Sequence, residues 1–158
     1  MRKIKFFESE IPVEEWVKRE ICKNGGTDSI AFKSDLVNYA ELIGVPGNEK
    51  MSKVELFELL LKHGCTYEQL ASVFHVGVKS SDYQDTFGIS HEDVKRLERH
   101  GVLKCVGKVK FRKFGKYMAA PLYDIYQFCR MTDEDMKDLM TKYPKGARIR
   151  KEKVNNEN

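Results

Sequence analysis

Seven cations fall between Arg99 and Tyr123, with no carboxylate among them: Arg99, Lys104, Lys108, Lys110, Arg112, Lys113 and Lys116. A dense row of fixed positive charge suits the binding of phosphate groups on a polyanion. Within the row, Lys108-Val109-Lys110-Phe111-Arg112 alternates basic and apolar residues. A period of two predicts a strand with one wet face and one buried face. Lys113-Phe114-Gly115-Lys116 reads as a turn, and Tyr117-Met118-Ala119-Ala120 as the returning strand. Upstream, Glu92, Lys95, Arg96 and Arg99 share the outward face of a predicted helix over residues 91–100.

Bond-making chemistry has no comparable signal. The chain lacks a phosphate-binding glycine loop, a Gly-x-Ser-x-Gly elbow and a His-Glu-x-x-His pair. His63, His75, His91 and His100 are scattered. Cys22, Cys65, Cys105 and Cys129 form no Cys-x-x-Cys pair, and His63/Cys65 has no second ligand pair at zinc spacing. The cysteines read as small reduced core residues. The expectation is a chain without enzymatic activity, metal or cofactor.

The elements that must position the cations read as follows. Residues 82–87 form a helix and Gly88-Ile89-Ser90 a turn. Gly88 suits the left-handed backbone of a helix exit, and Ser90 caps the helix that follows. Val94 and Leu97 share a face and can pack inward with Ile89, Val102 and Leu103. With the basic hairpin and then Pro121-Leu122-Tyr123-Asp124-Ile125-Tyr126-Gln127-Phe128, this stretch resembles winged helix-turn-helix domains of the excisionase-like and MerR-like kind. The resemblance implies a hairpin wing, and a helix opening at Asp124 just after Tyr123. Residues 65–81 read as the first helix of that domain, with a Thr66/Gln69 capping box and an apolar face of Leu70, Val73 and Phe74. Thr132 through Asp135 starts a last helix.

A second unit precedes it. A helix over residues 36–43, capped by Ser34 or Asp35, meets the extended loop Gly44-Val45-Pro46-Gly47-Asn48-Glu49-Lys50. The next helix opens with a Ser52/Glu55 capping box and ends at His63-Gly64. This stretch resembles SAP-like and Rho-N-terminal-like helix-extended-loop-helix modules. Many of these bind DNA, and the matching positions are Lys50, Ser52 and Lys53. The unit is otherwise acidic, so packing or protein docking is an equal alternative. Ahead of it, residues 1–32 hold one helix, with Pro12 in its first turn, Trp16, Val17 and Ile21 on one face, and Asn24-Gly25-Gly26 as its end.

The expected fold is therefore mainly α: an N-terminal helix over 1–32, a helix-extended-loop-helix over 33–64, a winged helix-turn-helix with C-terminal helices over 65–143, and a disordered basic tail over 144–158. The 158 residues are 33% charged and 41% apolar, with net charge +4. No apolar run approaches the ~20 residues of a membrane span, and the first residues lack a signal-peptide core. A cytoplasmic protein follows as the expectation. The leading functional expectation is a regulatory protein that contacts double-stranded DNA, as in phages and other mobile elements. Its contacts would be Ser90, His91, Lys95, Arg96 and Arg99 near a groove, and Lys108, Lys110, Arg112, Lys113 and Lys116 on the backbone. The alternative is a protein-binding adaptor or inhibitor, for example phage-encoded and aimed at a host protein. Glu92, Asp93 and Glu98 around the outward helix favour that alternative, because carboxylates repel phosphate.

Overall fold

The computed structural model describes residues 1–24 and 29–146. The chain divides into two compact units, Arg2–Gly77 and Val78 onward.

The first unit begins with a small antiparallel hairpin. Strand β1 is Ile4–Phe6 and β2 is Ser9–Ile11, with Ile4 opposite Ile11. Helix α1, Val13–Cys22, follows Pro12 and buries Val13, Val17 and Ile21, each one helical turn apart. Trp16 is half-buried, its ring set edge-on to Phe6. Gly25 and Gly26, expected to end this helix, lie outside the described residues.

Helix α2, Lys33–Leu42, starts earlier than expected. Its opening turn is closed by Asp35 Oδ2, which accepts the Phe32 N–H at 2.8 Å. Helix α3, Lys53–Lys62, has the expected reciprocal cap: Ser52 Oγ accepts from Glu55 N and Glu55 Oε1 from Ser52 N. Helix α4 is Tyr67–Val73, capped in the same way by Thr66 and Gln69.

Helix α4, expected to open the winged domain, falls within the Arg2–Gly77 unit. Helix α4 packs on α1, Phe74 meets Tyr39 edge-on at 5.8 Å, and Tyr67 lies 5.6 Å from Phe57. Leu36, Ala40, Leu56, Phe57, Leu60 and Leu70 are fully buried in this unit. Leu70 and Phe74 of the expected apolar face thus complete a four-helix N-terminal core, while Val73 is exposed.

The second unit is built around a ribbon. Strands β4, Cys105–Lys113, and β5, Lys116–Asp124, pair antiparallel, and the two-residue strand β3, Gly77–Val78, completes a sheet in the order β3-β5-β4. Helix α5, Ser80–Phe87, ends at Gly88, whose φ of +66° is the left-handed region that favours glycine. Helix α6, His91–Arg99, is capped by Ser90 and Asp93. Asp124 caps α7, Ile125–Arg130, by accepting from Tyr126 N and Gln127 N. Thr132 caps α8, Asp133–Lys142.

Val94, Leu97 and Leu103 are buried as expected, while Ile89 and Val102 are half-buried. An aromatic cluster seals the core. Tyr83 meets Phe128 at 4.9 Å and Tyr123 at 5.9 Å, and Phe87 meets Phe128 at 5.9 Å. These edge-to-face pairs contribute about 0.5–1.5 kcal/mol each beyond their burial.

The expectation of a mainly helical chain is corrected to a mixed α and β one. Eight helices cover about 49% of the described residues, beside a two-stranded antiparallel sheet and the small sheet built on the antiparallel β4–β5 pair. Residues 4–11 pair as strands, and the ribbon strands run nine residues each rather than four or five. Among the described residues no helix is long and apolar enough to cross a membrane.

Candidate nucleic-acid interface

The ribbon has a defined register. Lys108 lies opposite Pro121, Lys110 opposite Ala119 and Arg112 opposite Tyr117. Directly opposed residues share a face of a pleated sheet, so Lys108, Lys110, Arg112 and Tyr117 stand together. The Arg112 guanidinium lies 5.0 Å over the Tyr117 ring. The other face carries Val109 with Ala120, Phe111 with Met118, and Lys113 with Lys116 beside the tip. Three of the ribbon cations thus share one face and two flank the tip on the other.

One irregularity orients this ribbon. Cys105 pairs with Tyr123 but Gly107 pairs with Leu122, leaving Val106 as a bulge. Along β5, Tyr123, Pro121, Ala119 and Tyr117 alternate onto one side. The Tyr123 hydroxyl donates to Glu98 Oε1 of α6 at 2.7 Å. The cationic face is therefore the α6 side of the sheet.

The predicted burial of the apolar face is corrected. Val109, Ala120 and Leu122 are half-buried near the base, but Phe111 and Met118 are exposed. Among the described residues no layer packs on either face of the outer ribbon, so the period of two records the pleat and not a buried side.

At the tip, Lys113 opposes Lys116 and leaves Phe114-Gly115 as a two-residue turn. Both turn residues have positive φ, +53° for Phe114 and +75° for Gly115, the pattern of a type I′ hairpin. Glycine adopts this backbone freely, whereas phenylalanine incurs about 1–2 kcal/mol. Phe114 is nevertheless 90% exposed, with Lys113 Nζ 5.6 Å from its ring centroid. Sequence reasoning passed over this side chain. The available signal was a bulky ring where such a turn favours Asn or Gly.

The predicted contacts on α6 separate into two groups. His91 and Arg99 are exposed and Lys95 is half-buried, one helical turn apart on one line. His91 Nδ1 is 2.9 Å from Ser80 Oγ. Ser90 Oγ serves as the cap, accepting from Asp93 N at 3.1 Å. The placement of Arg96 on the outward face is corrected. Arg96 is 5% exposed. Its Nε donates to the Tyr143 carbonyl at 2.9 Å and its Nη2 to Asp93 Oδ1 at 2.6 Å. A guanidinium engaged in this way ties α6 to the end of α8 and is not available to a partner.

The same geometry accounts for two of the three carboxylates near α6. Asp93 faces Arg96 and the Ser90 N–H, and these hold its carboxyl below the usual range, the Ser90 backbone N–H being the larger cause. Glu98 accepts from Tyr123 and lies 3.3 Å from Lys95 Nζ. Burial first, and then the Glu98 hydrogen bond, push the Tyr123 phenol well above its ordinary value. Glu92 alone of the three is exposed.

In the N-terminal unit the three predicted positions do not converge. Lys50 is exposed, and Ser52 is engaged in its cap. The expected phosphate contact by Lys53 is corrected: Lys53 is 7% exposed, and its ammonium donates to the carbonyls of Lys23, at 2.7 Å, and Ala31. Burial lowers its pKa. Most of the basic tail expected over 144–158 lies outside the described residues. Among the described residues no three His, Cys, Asp or Glu side chains gather as a metal site. Comparison with protein-family models, with curated proteins and with solved structures finds no match to this chain.

Proposed function

We propose that the C-terminal unit is a winged helix-turn-helix that binds double-stranded DNA as a regulatory protein, with the β4–β5 ribbon as its wing. The observation that carries the reading is the exposed row Lys108, Lys110 and Arg112 on the α6 side of the sheet, continued on α6 by Lys95 and Arg99. Cations fixed on a paired ribbon and a helix can meet successive phosphates with little further ordering. The internal use of Asp93 and Glu98 supports the reading, because of the three carboxylates near α6 it leaves only Glu92 exposed to repel phosphate.

The test is duplex binding as a function of salt. With about six phosphates neutralised, log K against log salt falls with a slope near −5. Charge reversal at Lys110 and Arg112 lowers affinity at least tenfold with the melting temperature unchanged. Affinity indifferent to salt, or to those reversals, sinks the proposal.

A second reading is favoured for the N-terminal unit. Lys53 is consumed internally, whereas Leu42 and Ile43 at the end of α2 are exposed side by side. That combination suits docking on another protein better than contact with phosphate. Substituting both with serine should then reduce partner capture while leaving duplex affinity unchanged.

A further inference from the structure

Phe114 is neither buried nor favoured by its backbone. Its ring is almost wholly in water at the outermost point of the ribbon, in a conformation that asparagine or glycine adopts with less strain. Packing in the fold therefore does not explain an aromatic residue here. Its surroundings suggest what it could meet. Lys113 and Lys116 flank it as a directly opposed pair, and no acidic residue occurs from His100 to Tyr123. Like charges placed opposite each other repel within the hairpin. A polyanion arriving at the tip would relieve that repulsion and place its apolar interior against the ring.

We infer that Phe114 is a wedge that enters a base step of duplex DNA while Lys113 and Lys116 hold the phosphates on either side. The inference rests on the duplex-binding reading and adds how the ribbon reads its target. Apolar side chains that enter a step unstack it and bend the helix, and flexible TA and CA/TG steps yield most readily. The protein then distinguishes sequences at the tip by deformability, without hydrogen bonds to base edges. The two-residue turn supports such use, since a short type I′ connection holds the ring on a paired ribbon rather than on a loose loop.

Phe114→Asn in the full chain is the informative variant, because asparagine suits the left-handed turn and keeps the hairpin. Duplexes carrying 2-aminopurine beside a central TA step report unstacking by fluorescence, and bending is read from gel mobility. The wild-type protein should raise the fluorescence and bind the TA duplex about tenfold more tightly than an A-tract duplex. Phe114→Asn should lose the fluorescence change and that preference while keeping the salt slope. A fluorescence change preserved in Phe114→Asn overturns the wedge, even where reversal of Lys110 and Arg112 still abolishes binding. Tighter binding to single strands than to duplex, lost in Phe114→Asn, overturns it in favour of simple base stacking. A wild-type protein that binds no duplex at low salt overturns both the wedge and the function it rests on.

Discussion

The hydroxyl of Tyr123 on β5 donates to Glu98 Oε1 on α6 at 2.7 Å, and that carboxylate also lies 3.3 Å from Lys95 Nζ. One hydrogen bond therefore fastens the helix to the ribbon and occupies an anion that would otherwise face the same side as the cations. Tyr123 is fully buried, so water competes for the bond only from the partly exposed Glu98 side.

Tyr123→Phe removes the donor and leaves Glu98 with Lys95 alone. Hydrogen bonds to charged groups contribute about 1.5–3 kcal/mol, and the partial exposure of Glu98 places this one toward the lower end. Urea unfolding should show a loss of about 1–2 kcal/mol. Duplex affinity should also fall in the folded variant, because the released carboxylate repels phosphate. A variant of unchanged stability would show that the bond is not formed in solution.

Acid should act through Asp93. Its folded carboxyl titrates below the ordinary value of 3.8, because the Ser90 N–H and the Arg96 guanidinium favour the charged form. A depressed folded pKa gives stability that is present above the unfolded value and lost as pH falls through the folded one. Urea midpoints should therefore hold from pH 7 to near 4 and decline below it. Asp93→Asn should flatten that acid decline. It should also lower stability at pH 7 by about 2–4 kcal/mol, since it leaves the buried Arg96 charge with neutral acceptors alone. An acid limb equally steep in Asp93→Asn would assign the loss to other carboxylates.

Tyr83 makes the opposite case. It is fully buried, and among the described residues its hydroxyl has no hydrogen-bond partner, while its ring packs against Phe87, Tyr123 and Phe128. A buried polar group without a partner costs about 1–3 kcal/mol. Tyr83→Phe keeps the ring and removes that cost, so the melting temperature should stay level or rise. A clear fall would reveal an ordered water on the hydroxyl.

Local punctuation was legible in the sequence because its causes are local. The caps at Ser52, Thr66, Ser90 and Thr132 each need a residue no more than three positions away, and Gly88 needs only its own backbone. The fates of Arg96 and Lys53 were not legible. The carbonyl that takes the Arg96 Nε belongs to Tyr143, 47 residues on. Those that take the Lys53 ammonium lie 30 and 22 residues back. Amphipathic spacing gives a helix its faces but not the distant groups that meet them. Residues 4–11 were missed as strands for another reason: their turn is Phe7-Glu8, which carries none of the usual hairpin residues. The ribbon was half legible, since alternation fixed its pleat while nothing local shows whether a layer covers it.

Val106 holds a further consequence. The turn at Phe114-Gly115 and the base pair Cys105–Tyr123 demand registers that differ by one residue, and the bulge absorbs the difference. Were the turn one residue longer, the strands could zip from base to tip without it, and each β4 side chain beyond the base would exchange faces. Lys108, Lys110 and Arg112 would then point away from α6. The length of a connection at the far end thus selects the direction in which this arm presents its charge.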